Sequence, residues 1–280
     1  MMREDLTVNK GMDTGIFQFR HSVALRMRLH ETIKVAGQTG ALTCLDIGSP
    51  NGALSAFLRK QGGRWHSAVL TEEAEASLTT AVEENVHRLT DRTMPFKRKS
   101  FDLVVVFDGL EGFHADEAFI EECHRILKPD GRLIVNVHHD KSLSLVRGLR
   151  SLLGVIRESP GLVYAAYTES QLFSILKHGF DVYSMRSYSR FFVELVDCIA
   201  TFILDGISRD LPEAERSIRR VYLVVSPFYW LASQLDLLLF FTRGHFLVAS
   251  AKRRAWRPRN APILMDGRSI SEAVLSKAAN

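Results

Sequence analysis

The stretch Leu45-Asp46-Ile47-Gly48-Ser49-Pro50-Asn51-Gly52 decides how this chain folds. An apolar run from Ala41 to Ile47 ends in a pair of closely spaced glycines, and an apolar-patterned helix follows from Ala53 to about Lys60. That order is strand, tight glycine turn, helix. A glycine turn lets a ligand press against bare backbone, because there is no side chain to collide with it. The free N–H groups of the following helix face any negative group bound there. Asp46 sits just before the turn, placed to receive an amine or to order the loop. A site that offers N–H groups to a carboxylate and a carboxylate to an ammonium suits a cofactor bearing an amino acid.

Outward from this turn, strands and helices alternate. Ser22 to about Val35 has helical spacing and Thr43–Ile47 is the first strand. Trp65–Leu70 follows the Gly62-Gly63 break as the second strand. Thr71 caps a helix whose first turn carries Glu72, Glu73 and Glu75, where the helix dipole favours acids. Val86–Leu89 is a short third strand. Asp102–Phe107 is almost continuously apolar, as a parallel strand covered on both faces must be. A helix from about Ala115 to Leu127 stops at Pro129-Asp130-Gly131, and Arg132–Val137 is the fifth strand. Thr168 with Gln171 forms a capping box, and Gly179 stands at the far end of that helix. Phe180–Met185 and His245–Ala251 are strands six and seven. The alternation predicts an α/β fold: a doubly wound, mostly parallel seven-stranded sheet with helices on both faces.

Several motifs together resemble the class I S-adenosylmethionine-dependent methyltransferases. Asp46, Ile47, Gly48 and Gly52 match the glycine-rich first motif. Met94-Pro95-Phe96 and Ser100-Phe101-Asp102-Leu103 resemble the approach to strand four, and Asp108-Gly109-Leu110-Glu111 the segment at its end. Arg125-Ile126-Leu127-Lys128-Pro129-Asp130-Gly131 resembles the helix-turn-strand signature, and Gly179-Phe180 a later helix exit. The likeness covers about residues 41–188 and implies a Rossmann-like sheet that binds S-adenosyl-L-methionine beyond the carboxyl ends of the strands. It implies that Asp46, Gly48, Ser49, Asn51 and Gly52 hold the methionine part of the cofactor. It places Leu70 at the end of strand two, Asp91 near the adenine amino group, and Asp108, Gly109 and Leu110 on the sulfonium side.

Two positions depart from the family pattern. Pro50 replaces the middle glycine of the turn, fixing φ and removing an N–H donor. The acid that usually binds the ribose at the end of strand two falls at Val69 or Leu70, with Glu72 and Glu73 the nearest acids. A nicotinamide dehydrogenase is disfavoured, because the turn lacks Gly-x-Gly-x-x-Gly and no acid ends strand two. Methyl transfer needs placement and exclusion of water, and a base only when the acceptor carries a proton. The candidate catalytic bases are His138 and His139, followed by Asp140, with Tyr164 and Tyr167 further on. No metal-ligand spacing occurs among the ten histidines.

The chain has 280 residues, 46% hydrophobic and 24% charged, with a net charge of +4. That mild excess does not call for a nucleic-acid partner. Cys44, Cys123 and Cys198 fall inside apolar-patterned elements and form no CxxC pair, so buried thiols in a reducing compartment are expected. Met1–Gly11 lacks an apolar signal-peptide region, which predicts a cytoplasmic protein.

The C-terminal third carries an apolar helical insertion. Phe191–Leu204 places Phe191, Phe192, Leu195, Val196, Ile199, Phe202 and Ile203 on one helical face, with Glu194, Asp197 and Thr201 opposite. The uncharged part from Val221 to Leu235 falls short of the ~20 residues a membrane span takes. Pro227 and Asp236 also oppose a span, and arginines flank the segment. Two readings stand: an apolar lid on the sheet, or a segment lying on an anionic membrane surface through 191–241 and the basic run 252–259. The expected organisation is an N-terminal helical extension (1–40), a methyltransferase-like core (41–188), the insertion (189–243), the last strand (244–252) and a basic tail (253–280). The expected activity is S-adenosylmethionine-dependent methyl transfer to a small-molecule or lipid-like acceptor, peripheral on the inner membrane face if the insertion docks. The alternative is a catalytically impaired, membrane-associated binding module on the same fold.

Overall fold

A computed structural model describes residues 19–48, 52–82, 84–89, 93–107, 116–140, 145–153, 166–206 and 211–255. In chain order these contain α1 (Val23–Ala36), β1 (Thr43–Ile47), α2 (Ala53–Arg59), β2 (Arg64–Val69), α3 (Glu72–Val82) and β3 (Val86–Arg88). Next come β4 (Phe101–Phe107), α4 (Asp116–Ile126), β5 (Leu127–His138), α5 (Leu145–Leu152), α6 (Glu169–Leu176) and β6 (Phe180–Tyr188). The helices α7 (Phe191–Asp205) and α8 (Leu211–Leu238) precede β7 (Phe246–Arg253).

The strands form one sheet in the order β3-β2-β1-β4-β5-β7-β6. The pairings β3/β2, β2/β1, β1/β4 and β4/β5 are parallel, and β7 runs antiparallel to both β5 and β6. Chain order reverses between β1 and β4, which places the switch point of the sheet just beyond Ile47 and Phe107.

Alternate residues of the central strands feed two cores. Leu45, Ile47, Val104, Val106 and Val135 pack under α4 and α6. Cys44, Leu103, Val105, Phe107 and Ile134 pack under α1 and α2. Leu103 to Phe107 are all fully buried, which is why β4 has no polar side to read. The three cysteines are free and buried, and burial pushes the Cys44 thiol up to about 12.

β5 begins at Leu127, five residues before its predicted start at Arg132, because Leu127 pairs with Phe101 before the register of the ladder shifts. Thr168 and Gln171 do form the capping box of α6. The N-terminal helix is no appendage. Ser22 caps α1, Arg132 Nη2 donates to the Ala36 carbonyl at 2.8 Å, and Asn136 Nδ2 donates to Thr32 Oγ1 at 3.4 Å. Tyr188 completes that buried polar group by donating its hydroxyl to Asn136 Oδ1 at 2.6 Å.

Residues 189–245 leave and re-enter the sheet at its carboxyl edge, where Tyr188 pairs with Phe246 and Phe246 with His138. They hold the antiparallel hairpin of α7 and α8, which packs on α1 through Ala24, Val193, Tyr222, Val225 and Tyr229. Gly244 lies at its root: a Cβ there would sit 2.0 Å from the Tyr188 carbonyl oxygen. Two acids of the hairpin, Glu194 and Asp236, point inward. Asp236 accepts from the backbone N–H groups of Arg190 (3.0 Å), Phe192 (2.8 Å) and Val193 (3.4 Å), so the end of α8 caps the start of α7. Burial pushes its carboxyl up, opposed by those donors. Asp236→Ala orphans them and is expected to cost about 2 kcal/mol, with amide exchange at 190–193 accelerating before that of the sheet.

The sequence places Phe191, Ile199, Phe202 and Ile203 on one apolar side of α7 and leaves both the lid and the membrane-facing reading open for it. In the structure the far half of that side is exposed. Ile199, Phe202 and Ile203 are 43%, 46% and 42% exposed, while Glu194 is fully buried. Glu194 accepts the Ser189 hydroxyl, and Asp197 accepts the Tyr229 hydroxyl at 2.7 Å. Partners outside the helix turn it, and its own periodicity does not show them.

Candidate functional site

The site expected from the sequence lies at the β1/β4 switch point. Gly48 and Gly52 both have left-handed backbones, with φ of +81° and +67°. The Gly48 N–H is already used, donating to the Ala68 carbonyl at 3.0 Å, so it ties the turn to β2. Ser49, Asn51, Asp91, Asp108, Gly109 and Leu110, and with them Pro50, lie outside the described residues.

Asp46 is fully buried and faces α2 and β2. Its Oδ2 accepts the Ser55 hydroxyl, and its Oδ1 accepts the Ser67 hydroxyl at 2.8 Å. Arg59 Nη1 lies 3.5 Å from Oδ1 and 2.9 Å from Ser67 Oγ. Burial pushes the Asp46 carboxyl up, against the Ser55 hydrogen bond and the Arg59 charge, and burial also lowers the Arg59 guanidinium. Of the two roles open to Asp46 in the sequence, this network carries out the second: it binds β1, β2 and α2 into one base beneath the turn. Ser55, Arg59 and Ser67 were not singled out from the sequence. Ser55 and Arg59 are one helical turn apart just after the glycines, and that spacing is the signal that points to them.

β2 ends at Val69, which is buried, and Leu70 packs partly buried against the α4/α6 core. Glu72 is exposed and ion-paired, with Arg88 Nη1 3.2 Å from its Oε2. No acid therefore ends β2 itself.

His138 and His139 close β5 at the same carboxyl edge. His138 is half-buried with its ring 4.6 Å from that of Phe246. His139 is buried, and its Nδ1 lies 2.8 Å from the Gly244 carbonyl oxygen. A carbonyl only accepts, so Nδ1 carries the proton and Nε2 is the basic nitrogen. The His139 backbone N–H also donates to the His245 carbonyl, so this residue latches the root of the hairpin to β5. Tyr167 is engaged elsewhere, donating to Asp116 Oδ2 at 2.6 Å, and Tyr164 lies outside the described residues. The sequence places Arg28 on the first helix without a role at the site. It is buried, with its guanidinium carbon 5.0 Å from the Phe246 ring centroid and 5.9 Å from that of Phe107.

Residues 45–135 match the family described as "Methyltransferase domain". This core is similar to the class I S-adenosylmethionine-dependent methyltransferases. The matched span runs from β1 through β5, and so holds the switch point. The methyltransferase core is similar to the ubiquinone/menaquinone biosynthesis C-methyltransferase of Laribacter hongkongensis, 33% identical over 123 residues, 39% of this chain and 48% of that protein. It is also similar to the human mitochondrial arginine-hydroxylase NDUFAF5, 34% identical over 92 residues, 32% of this chain and 27% of that one. The chain thus spans about half or less of the length of these relatives. A putative methyltransferase from Bacillus halodurans shares the fold at a TM-score of 0.53 and 15% identity, over 80% of this chain and 97% of its own.

The first residues of the basic run 252–259 are taken up by the sheet and its ion pairs, and the last strand runs one residue further than expected, to Arg253. Lys252 and Arg253 belong to β7, opposite Arg132 and Phe180 at the other end of the sheet from the hairpin root. Lys252 Nζ is 2.9 Å from Asp130, Arg253 Nε donates to the His124 carbonyl, and Arg254 pairs with Asp181 at 3.1 Å. Strand pairing places them away from the insertion, and Trp256 onward lies outside the described residues.

Proposed function

We propose that this chain transfers a methyl group from S-adenosylmethionine to a small, apolar acceptor at the carboxyl edge of the sheet. The observation that carries this is the left-handed glycine turn at the β1/β4 switch point, inside the span that matches the methyltransferase domain. The described residues fit the cofactor there: two glycines open the backbone, and the Asp46 network holds the turn from beneath. Gly48, Ser49, Asn51 and Gly52 would hold its methionine end, and Leu70, Asp91 and Asp108 to Leu110 would line the remainder. Bound, the cofactor supplies an electrophilic methyl group.

The chain's own part is to place the acceptor in line and exclude water. The hairpin rooted at Ser189 and Gly244 leaves the sheet at that same edge and would border the acceptor there. Where the acceptor carries a proton, His138 is the more accessible base, and His139 offers Nε2 from a fixed ring. The name of the Laribacter relative points to a quinone-like acceptor, in keeping with a lipid-like molecule met by a cytoplasmic protein at the membrane surface. A second reading, a binding module without catalysis, draws support from the absence of an acid at the end of β2. The hydroxylase name of another relative shows that similar cores carry different labels for their chemistry.

Calorimetry with S-adenosylmethionine and its demethylated product separates the two. Micromolar binding, with turnover lost in His138→Ala or His139→Ala while affinity stays within about threefold, supports transfer. No heat at millimolar ligand supports the module.

A further inference from the structure

We infer that the outer face of the α7/α8 hairpin lies in the plane of an anionic lipid surface, with α8 parallel to the membrane rather than across it. This deepens the membrane part of the proposed function, and it stands whether or not methyl transfer occurs.

Three observations converge. First, α8 is one continuous helix of 28 residues, about 42 Å long at 1.5 Å per residue. Its Arg216–Leu238 stretch is long and apolar enough to cross a bilayer by length and composition. The sequence reading, which took Val221–Leu235 as too short, missed that continuity. Yet Tyr222, Val225, Tyr229, Ala232 and Asp236 are buried against the protein. A spanning α8 would have to tear that side from α1 and α7, so only its other side is free to meet lipid.

Second, that other side is strongly apolar. Leu223, Val224, Phe228, Trp230, Leu231 and Leu238 are each at least half exposed. At 100° per residue they cover roughly half the helix circumference, opposite the buried stripe. Phe240 and Phe241 continue the surface beyond the helix, 78% and 74% exposed. The exposed apolar edge of α7 adds Ile199, Phe202 and Ile203 from the same hairpin. A soluble monomer rarely presents so much contiguous apolar area.

Third, the charges select the occupant. Between residues 216 and 243 the cations are Arg216, Arg219, Arg220 and Arg243, and the acid is Asp236, which is buried as a cap. Arg216 and Arg220 are exposed at one end of the apolar face and Arg243 at the other. A face that is apolar in the middle and cationic at both ends complements headgroups carrying negative charge. It suits a second copy of the same face less well, because a symmetric pairing brings Arg216 and Arg220 against Arg243, and the acids of α8 nearest to them, Glu213 and Glu215, precede the apolar face in the first turn. The hairpin is rooted beside His138, at the same carboxyl edge of the sheet as the β1/β4 switch point, so docking would bring that edge near the lipid.

The test uses the full chain without cofactor, floated with phosphatidylcholine vesicles and with vesicles containing about one third phosphatidylglycerol. Binding to the anionic vesicles is expected, weakened by salt and much lower on the neutral ones. In a Trp256→Phe background, Trp230 fluorescence shifts to the blue on binding, and Trp230→Phe removes the shift while Trp65, buried in the sheet, is unaffected. Phe228→Glu and Leu231→Glu, at exposed positions that leave the fold intact by circular dichroism, weaken binding roughly tenfold or more. Arg216→Ala, Arg220→Ala and Arg243→Ala each weaken it roughly fivefold. The inference is overturned by any of three results: no binding to anionic vesicles, binding that Leu231→Glu leaves unchanged, or a dimer in sedimentation that Leu231→Glu splits in a protein that ignores vesicles. Calorimetry on the same variants reads cofactor binding separately, so failure of the docking face and failure of the transferase reading are told apart.

Discussion

Gly52→Ala lowers stability by about 2–4 kcal/mol and removes S-adenosylmethionine binding, read by urea unfolding and by calorimetry. Gly52 caps α2 in a left-handed conformation at φ +67°, which costs an alanine about 1–2 kcal/mol. A Cβ at this position would also lie 2.8 Å from Ala81 Cβ and 3.3 Å from Leu78 Cδ1, where α3 packs against the turn. Relief requires α2 and α3 to move apart, and the turn that would hold the methionine end of the cofactor moves with them. The double variant Gly52→Ala/Ala81→Gly separates the two contributions. Removing the Ala81 methyl relieves the contact but not the backbone strain, and itself costs about 1 kcal/mol in a helix. A coupling of at least about 1 kcal/mol between the two sites is therefore expected. Wild-type stability in Gly52→Ala would show that the turn is not held as described.

Asp46→Ala is expected to cost about 3 kcal/mol, the low end for breaking a buried pair, because Arg59 keeps 20% of its side chain exposed and turns partly to water. For a chain of this size the melting temperature falls by roughly 5–10 °C. The loss has a named structure: Ser55, Ser67 and Arg59 each lose a partner, and β1 loses its side-chain ties to β2 and α2. Affinity for S-adenosylmethionine distinguishes ordering from direct contact. If Asp46 acts by ordering the turn, Ser67→Ala reproduces part of its loss of affinity. If the carboxylate itself grips the ligand, Ser67→Ala leaves affinity at wild type while Asp46→Ala abolishes it.

Local chemistry makes most of the core legible in the chain. β4 shows itself because a strand covered on both faces has to be apolar throughout, and the α6 capping box because its two partners are three residues apart. The glycine turn shows itself because few other residues tolerate left-handed φ. The Asp46 network is only half legible: Ser55 and Arg59 follow at helical spacing, but Ser67 arrives from the next strand through parallel pairing. His139 reads from the sequence as a catalytic candidate, and its latch on Gly244 appears only once β5 and β7 are side by side.

The hairpin marks the boundary between the two kinds of information. The sequence by itself determined the alternating α/β core, its switch-point turn and the presence of an apolar helical insertion, because each follows from residues close in the chain. Which way the helices of that insertion face was decided by tertiary structure. Tyr229 draws Asp197 inward, Asp236 reaches back to the start of α7, and with the polar groups satisfied inside, Ile199, Phe202 and Ile203 are turned outward. Periodicity reveals that a helix has two unlike sides, and only the partners brought to it by the rest of the fold choose which side is buried.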